Sequence, residues 1–185
     1  MVSLAALWIP IVVSAVIVFV ASSIMHAVLK YHQSDCHQLS DEDKFLGALR
    51  ASNPQRGFYV FPYCLPKDMK SPAAIEKYKQ GPVGFMTIMP SGMPVMPKFL
   101  GQWFVFCLVI SFFVAYITGR TVAPGTDYLA VFRVAGTVAF MAYGLGNLSN
   151  GIWKGQTWSM TIKEVMDGLI YGLLTAGTFG WLWPR

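Results

Sequence analysis

Apolar residues gather in four runs along the chain, each of a length to compare with a bilayer. The first extends from Leu4 to Leu29, whereas a helix needs roughly 20 residues to cross the hydrocarbon. No Lys or Arg precedes this run, its apolar stretch exceeds that of a secretory leader, and no small-x-small cleavage site follows His26. It therefore reads as a retained helix. Pro10 falls in its second turn, where a missing amide costs less than at mid-span. The second run is Phe99 to Thr118, closed by Gly119 and Arg120. The third reaches from Tyr128 to Leu148, and the fourth from Val165 to Trp183, ended by Pro184. Trp8, Trp103, Trp153, Trp158, Trp181 and Trp183 fall near the ends of these runs, where indole prefers the headgroup region. The pattern predicts an all-α integral membrane protein, a bundle of four transmembrane helices.

Between the first two runs the pattern changes, and residues 31–98 are too long a stretch to lack structure in a compact protein. Ser40 followed by Asp41, Glu42 and Asp43 puts acids at a helix start, with Phe45, Leu46 and Leu49 on one apolar face. Phe58 to Phe61 reads as a short strand. Ser71 and Pro72 form an N-cap with proline in the first turn, opening a helix to Gln80 that Gly81 stops. Gly84 to Met89 reads as a second strand able to pair with the first. The chain thus divides into a first span (1–30), a small polar α+β insert (31–98) and three further spans (99–185).

Composition agrees: 55% of residues are hydrophobic and 12% charged, about half the charge of a typical soluble domain, and the mean hydropathy is +0.49. A soluble enzyme, a disordered chain and a nucleic-acid-binding domain are disfavoured. The net charge of +5 fits loops that face anionic lipid headgroups. With four spans both termini share one face, which carries Arg120, Arg133 and Arg185, while the other 11 of the 14 Lys and Arg lie on the loop face. The positive-inside rule makes loop 31–98 cytoplasmic and puts both termini outside, in the periplasm if the membrane is the bacterial inner one.

Helices in lipid associate through close packing and polar contacts rather than hydrophobic burial. Gly168, Gly172, Ala176 and Gly180 recur every four residues in the fourth run, and Cys107, Ser111, Ala115 and Gly119 do so in the second. Gly136, Phe140 and Gly144 align in the third, and Ser14, Val18, Ser22 and His26 in the first. Each predicted span therefore has one face that admits a close neighbour.

Candidate chemistry is sparse. The intramembrane polar residues are Ser22, His26, Arg133, Asn147 and Asp167, and ionisable groups at membrane depth are functional candidates by default. Arg133 suits interfacial anchoring or pairing with Asp127. Glu164 and Asp167, read as the opening of the fourth helix, suit capping, with Asn147 and Asn150 close enough in sequence to complete a polar site. His26, His32, Cys36 and His37 cluster after the first span. His32 and Cys36 share a face if the helix continues, and His32, Cys36 and His37 are candidate metal ligands. Ser22, one turn before His26, would leave room for a tetrapyrrole over an axial imidazole. Met86, Met89, Met93 and Met96 suit either Cu(I) or, with more support from their flexibility, an adaptable docking surface. Three cysteines without a CxxC pair make no disulfide framework, although Cys36 and Cys64 share one loop and could be bridged. No nucleophile–base pair, P-loop, GxGxxG or HExxH motif occurs.

The segment Asn150-Gly-Ile-Trp-Lys-Gly-Gln156, followed by Asp167-Gly-Leu-Ile-Tyr-Gly172, resembles a group of uncharacterised small bacterial inner-membrane proteins with four spans. These share an Asn-x-x-Trp-x-Gly turn before the last helix and an Asp-Gly opening to that helix. The stretch His26 to Arg50 is similar to the same group. The resemblance implies a multi-pass bacterial membrane protein and no particular reaction. The sequence as a whole predicts a non-enzymatic accessory or structural subunit with no resident cofactor. Its partners would be the bilayer and other membrane subunits or further copies of itself, and not nucleic acid. A small transporter or channel working as a homo-oligomer, and a metal- or tetrapyrrole-binding membrane protein, are the alternatives.

Overall fold

Ser3 accepts a hydrogen bond from the Ala6 amide and opens a 3-10 turn, Leu4–Leu7, which runs directly into helix α1, Trp8–Ala27. This is the computed structural model of the chain, and it describes residues Met1–Arg185. After α1 comes a second 3-10 segment, Lys30–Asp35. The chain divides into two compact units: a helical unit of Met1–Cys36 and Val95–Arg185, and an insert of His37–Pro94.

In the helical unit α4 spans Met96–Thr121, with Pro97 in its first turn, where its missing amide is harmless. Helix α5, Tyr128–Tyr143, is capped by Asp127, whose carboxylate accepts from the amides of Leu129 and Ala130 at 3.0 and 3.2 Å. The chain then passes through a 3-10 turn, Leu145–Asn147, into the short helix α6, Leu148–Trp153. Thr157 caps α7, Trp158–Trp181.

Three stretches are long and apolar enough to cross a membrane: Leu4–Ala27, Met96–Thr121 and Tyr128–Trp153. Helix α7 is long enough at 24 residues but is not among them. Lys163, Glu164 and Asp167 occupy its first half, and glycines and threonines lower the apolarity of the remainder. The stretch between the third and fourth apolar runs, residues 149–164, is not a loop. Most of it is α6 and the first two turns of α7, so Glu164 and Asp167 lie inside the helix and Thr157 does the capping.

The small-residue rows lie where helices meet. Along α7, a Cβ on Gly168 would overlap the Gly144 backbone, and Gly172 faces Phe140. A Cβ on Gly136 would come within 2.9 Å of Ala176, and one on Gly180 within 2.7 Å of the Tyr128 ring. Higher numbers on α7 meet lower numbers on α5, so the two helices run antiparallel in close contact. The second row faces the N-terminal segment: Gly119 accepts from the Val2 amide at 2.8 Å, and Ser14 Oγ donates to Ser111 Oγ at 3.0 Å between α1 and α4. Cys107, Ser111, Ala115 and Gly119 are all buried. Arg133 is exposed on α5 and forms no ion pair, and Asp127 caps the helix instead of pairing with it.

The insert contains α2 (Glu42–Ser52), β1 (Gly57–Phe61), α3 (Pro72–Gln80) and β2 (Gly84–Ile88). Asp41, rather than Ser40, caps α2, accepting from the Lys44 amide at 3.2 Å. Ser71 caps α3 and Gly81 ends it. The strands pair antiparallel, with Tyr59 opposite Met86. Period-two alternation leaves Phe58, Val60 and Phe85 exposed on one face, where the Phe58 and Phe85 rings stack at 5.5 Å. Cys36, Cys64 and Cys107 are free thiols.

Candidate functional site: a histidine–carboxylate centre beside an aromatic cavity

Asp167 sits near the middle of α7 with only 6% of its side chain exposed. A buried carboxylate is costly unless it is paired and hydrogen-bonded, and the Lys30–Asp35 segment supplies the partners. The Tyr31 hydroxyl donates to Asp167 Oδ1. His32 Nε2 lies 2.8 Å from Asp167 Oδ2, and its other nitrogen, Nδ1, lies 2.7 Å from Asp35 Oδ2. Lys163, one turn before Asp167, holds the same segment: its ammonium donates to the Tyr31 carbonyl, Ser34 Oγ and Asp35 Oδ1 at 2.8, 2.8 and 2.6 Å.

His26, in the last turn of α1, approaches from the helix side. Its ring stacks on His32 at 4.6 Å between centroids, with the planes 12° apart. Nδ1 lies 3.0 Å from the Ser22 carbonyl, which can only accept, so Nδ1 carries the hydrogen. Nε2 is turned toward Asp167 Oδ2, 3.8 Å away. One nitrogen of His26, one of His32 and one oxygen of Asp167 lie within 4.8 Å of one another.

The environment shifts the titrating groups of the 30–35 segment. Burial, followed by the bond to Asp167, pushes the Tyr31 phenol well above its ordinary range. Burial alone would lower the His32 pKa, but the hydrogen bonds to Asp35 and Asp167 together with their charges outweigh it and raise it. The Lys163 ammonium, helped by His32, holds the Asp35 carboxyl below the usual carboxylate value. Two acids, one ammonium and one shared imidazole thus form a compensated charge network.

Beside it lies a cavity of about 450 Å³ within the helical unit. Ser22, Ser23 and His26 of α1, Leu100, Trp103 and Phe106 of α4, Ala142 and Tyr143 of α5, Asn147, and Glu164, Asp167 and Tyr171 of α7 line it. The Trp103, Phe106, Tyr143 and Tyr171 rings contact one another with centroids 5.4 to 6.4 Å apart. Trp103 Nε1 donates to Ser22 Oγ at 2.8 Å. Tyr143 and Tyr171 are 7% and 4% exposed, and neither hydroxyl meets a partner at ordinary hydrogen-bond geometry, the nearest polar neighbour of Tyr143 being the weakly bonding Cys107 thiol. Buried polar atoms are usually satisfied, so two orphans on one cavity wall point to a ligand or ordered water.

Of the five polar residues predicted at membrane depth, Ser22, His26, Asn147 and Asp167 come together on this wall, and Arg133 does not. Asn147 donates to the Tyr143 carbonyl at 3.0 Å. Among the proposed metal ligands only His32 enters the histidine–carboxylate group. Cys36 is exposed in extended backbone beyond the 3-10 segment, and His37 begins the insert. The reason is helical period. With three residues per turn in a 3-10 segment, His32 shares a face with Asp35, whereas an α-helix would have aligned it with Cys36. Met96 opens α4, Met86 pairs with Tyr59 inside the sheet, and Met89 and Met93 are exposed.

Tyr31, Asp35 and Lys163 belong to the site and lie outside the set that the sequence predicts. The His32–Asp35 spacing was a usable signal, but Lys163 lies 128 residues from Asp35 and only the fold joins them. Compared with protein-family models, curated proteins and solved structures, the chain matches none.

Proposed function

We propose that the protein is a non-enzymatic integral membrane protein that binds a lipid-soluble small molecule in the cavity walled by α1, α4, α5 and α7. The observation that carries this reading is the gathering of four membrane-depth polar residues and two unpartnered tyrosine hydroxyls around one cavity. Its volume falls in the range of small-molecule sites, roughly 300–1,000 Å³. Four aromatic rings favour a flat apolar body, and two free phenolic donors favour acceptor oxygens on it. A ring carrying carbonyl oxygens, of the quinone type, meets both demands. Titrating the full chain in nanodiscs with a short-chain benzoquinone tests this through tryptophan fluorescence. Saturable quenching, weakened about tenfold by Tyr143→Phe with Tyr171→Phe, is expected from the loss of two hydrogen bonds. Quenching that is linear in quinone, or identical in the double variant, would reject the reading.

The same proposal takes α7 as a fourth span. Its 24 residues reach about 36 Å at 1.5 Å per residue. Its glycine row follows α5 from Tyr128 to Gly144, so it runs alongside a helix that is itself apolar enough to cross. Both termini then share one face, and the excess of Lys and Arg on the opposite face favours a cytoplasmic insert and periplasmic ends in a bacterial inner membrane.

The exposed Phe58, Val60 and Phe85 face, with Met89 and Met93 also exposed, supports a second role as an accessory subunit that docks a larger membrane complex through the insert. Retention of a defined partner in gentle detergent, lost on Phe58→Ser with Phe85→Ser, is the corresponding test.

A further inference from the structure

We propose that His26, His32 and Asp167 form a binding site for one divalent first-row transition-metal ion of the Fe²⁺ to Zn²⁺ series. This goes beyond the small-molecule reading and does not depend on it.

Three features of the geometry make the case. The first is convergence. His26 Nε2 and His32 Nε2 both face Asp167 Oδ2, at 3.8 and 2.8 Å, and the ligand atoms lie within 4.8 Å of one another. Tetrahedral bonds of 2.0–2.2 Å would separate neighbouring ligand atoms by about 3.4 Å. An ion there would open the proton-bridged His32–Asp167 pair by about 0.6 Å and turn the His26 ring out of its near-parallel stack on His32, since each imidazole lone pair lies in its own ring plane. His26 is free to adjust, because 55% of its side chain is exposed.

The second feature is the outer layer of contacts. Histidines that hold metals almost always donate their other N–H to a carboxylate or a backbone carbonyl, which fixes the tautomer and aims the ligating nitrogen. Both kinds are present: His26 Nδ1 on the Ser22 carbonyl at 3.0 Å, and His32 Nδ1 on the Asp35 carboxylate at 2.7 Å. Asp35 is held in turn by Lys163 at 2.6 Å. The Asp167 carboxylate is oriented likewise, with Oδ1 taken by the Tyr31 hydroxyl and Oδ2 left for the shared point. Neither Tyr31 nor Asp35 is itself a ligand; both are positioning residues. A plain ion-pair network would need only one histidine, whereas the second one here adds a stacked ring and a further nitrogen on the same oxygen.

The third feature is donor chemistry and access. Two imidazoles and one carboxylate suit borderline divalent ions and disfavour Ca²⁺ and Mg²⁺, which prefer all-oxygen sites. Three protein ligands leave a coordination position open. His26 and Asp167 also line the cavity, so that position can be filled by water or by a ligand there.

The experiment is metal titration of the chelator-stripped full chain in nanodiscs, with Co²⁺ read by its visible absorption and Zn²⁺ by competition. One ion per chain is expected. His26→Ala, whose side chain is half exposed and least needed for folding, should weaken binding at least tenfold, as should His32→Ala. Asp35→Asn should weaken it about 10- to 100-fold, the effect of losing a contact behind a ligand. The double variant Cys36→Ser, His37→Ala should leave it unchanged. Each variant is accepted only with a wild-type helical circular dichroism spectrum. Binding that survives His26→Ala and His32→Ala, or that disappears with Cys36→Ser and His37→Ala, overturns the site. So does a stripped protein that takes up no metal. The quinone titration uses none of these readouts, so the two proposals fail independently.

Discussion

The Tyr31 hydroxyl and the Asp167 carboxylate are 136 residues apart in the chain and directly hydrogen-bonded in the fold. That bond, together with His32 on the other oxygen, is what allows a carboxylate to stay buried in the middle of α7. The C-terminal end of α1 and the first half of α7 are therefore tied by a polar joint in addition to the apolar packing of Met25, Tyr31 and Tyr171. Tyr31→Phe removes one donor and leaves the ring, and should lower stability in detergent by about 1–3 kcal/mol, the range for hydrogen bonds to charged groups. Asp167→Asn should cost at least as much, because His32 loses one of its two carboxylate partners and Tyr31 its charged acceptor. Glu164→Gln, on the neighbouring turn, should change little. Thermal unfolding followed by circular dichroism ranks the three, and equal effects would show that the joint carries no special weight.

Lys163 makes the second half of this joint, with three acceptors in the 30–35 segment. Lys163→Met keeps the aliphatic stem and removes every one of these bonds. Amide hydrogen exchange at residues 31–35 should then become faster, while exchange in the middle of α4 and α5 stays at its wild-type rate. Unchanged exchange at 31–35 would mean that Tyr31 and His32 hold the segment unaided.

The helix-packing rows and the insert's elements were legible in the sequence for a simple reason: both follow from local period. Four-residue spacing of Gly168, Gly172, Ala176 and Gly180 can describe only one face of an α-helix, and Ser71-Pro72 with Gly81 brackets a helix without outside help. The site was legible in part. Ser22, His26, Asn147 and Asp167 stood out as polar residues in apolar surroundings, but their common cavity depends on four helices meeting. The start of α7 was misplaced because hydropathy marks where apolar residues begin, not where hydrogen bonding begins, and Trp158 to Glu164 is helical despite its polarity. The His32–Asp35 spacing is visible in the sequence once a 3-10 period is allowed, whereas Asp167 lies 135 residues from His32 and only the fold joins them.

Gly168 and Gly177 lie on the same helix but meet different surroundings. At Gly168 an added methyl would run into the Gly144 backbone, which no side-chain rotation relieves, while at Gly177 the nearest atom is the Tyr128 hydroxyl at 3.6 Å. Alanine is favoured over glycine in helices by roughly 0.8–1.0 kcal/mol. Gly177→Ala should therefore be neutral or slightly stabilising, whereas Gly168→Ala should force α5 and α7 apart and cost several times that amount. Opposite signs in thermal unfolding would attribute the difference to contact between helices, and a shared sign would return it to helix propensity.

Topology separates a three-span from a four-span protein without reference to any ligand. If α7 crosses, Met1 and Arg185 lie on one side and the insert on the other; if it lies in the interface, the ends lie on opposite sides. In a background with Cys36 and Cys107 replaced by serine, the native Cys64 reports the insert, and single cysteines at Ser3 and Arg185 report the ends. A membrane-impermeant maleimide applied to intact spheroplasts should label both end positions and spare Cys64 until the membrane is opened. Labelling of Ser3→Cys but not Arg185→Cys would leave α7 outside the bilayer core. Because Gly168, Gly172 and Gly180 hold α7 against α5 from Gly144 to Tyr128, that result would also reject the α5–α7 packing as the arrangement in the bilayer.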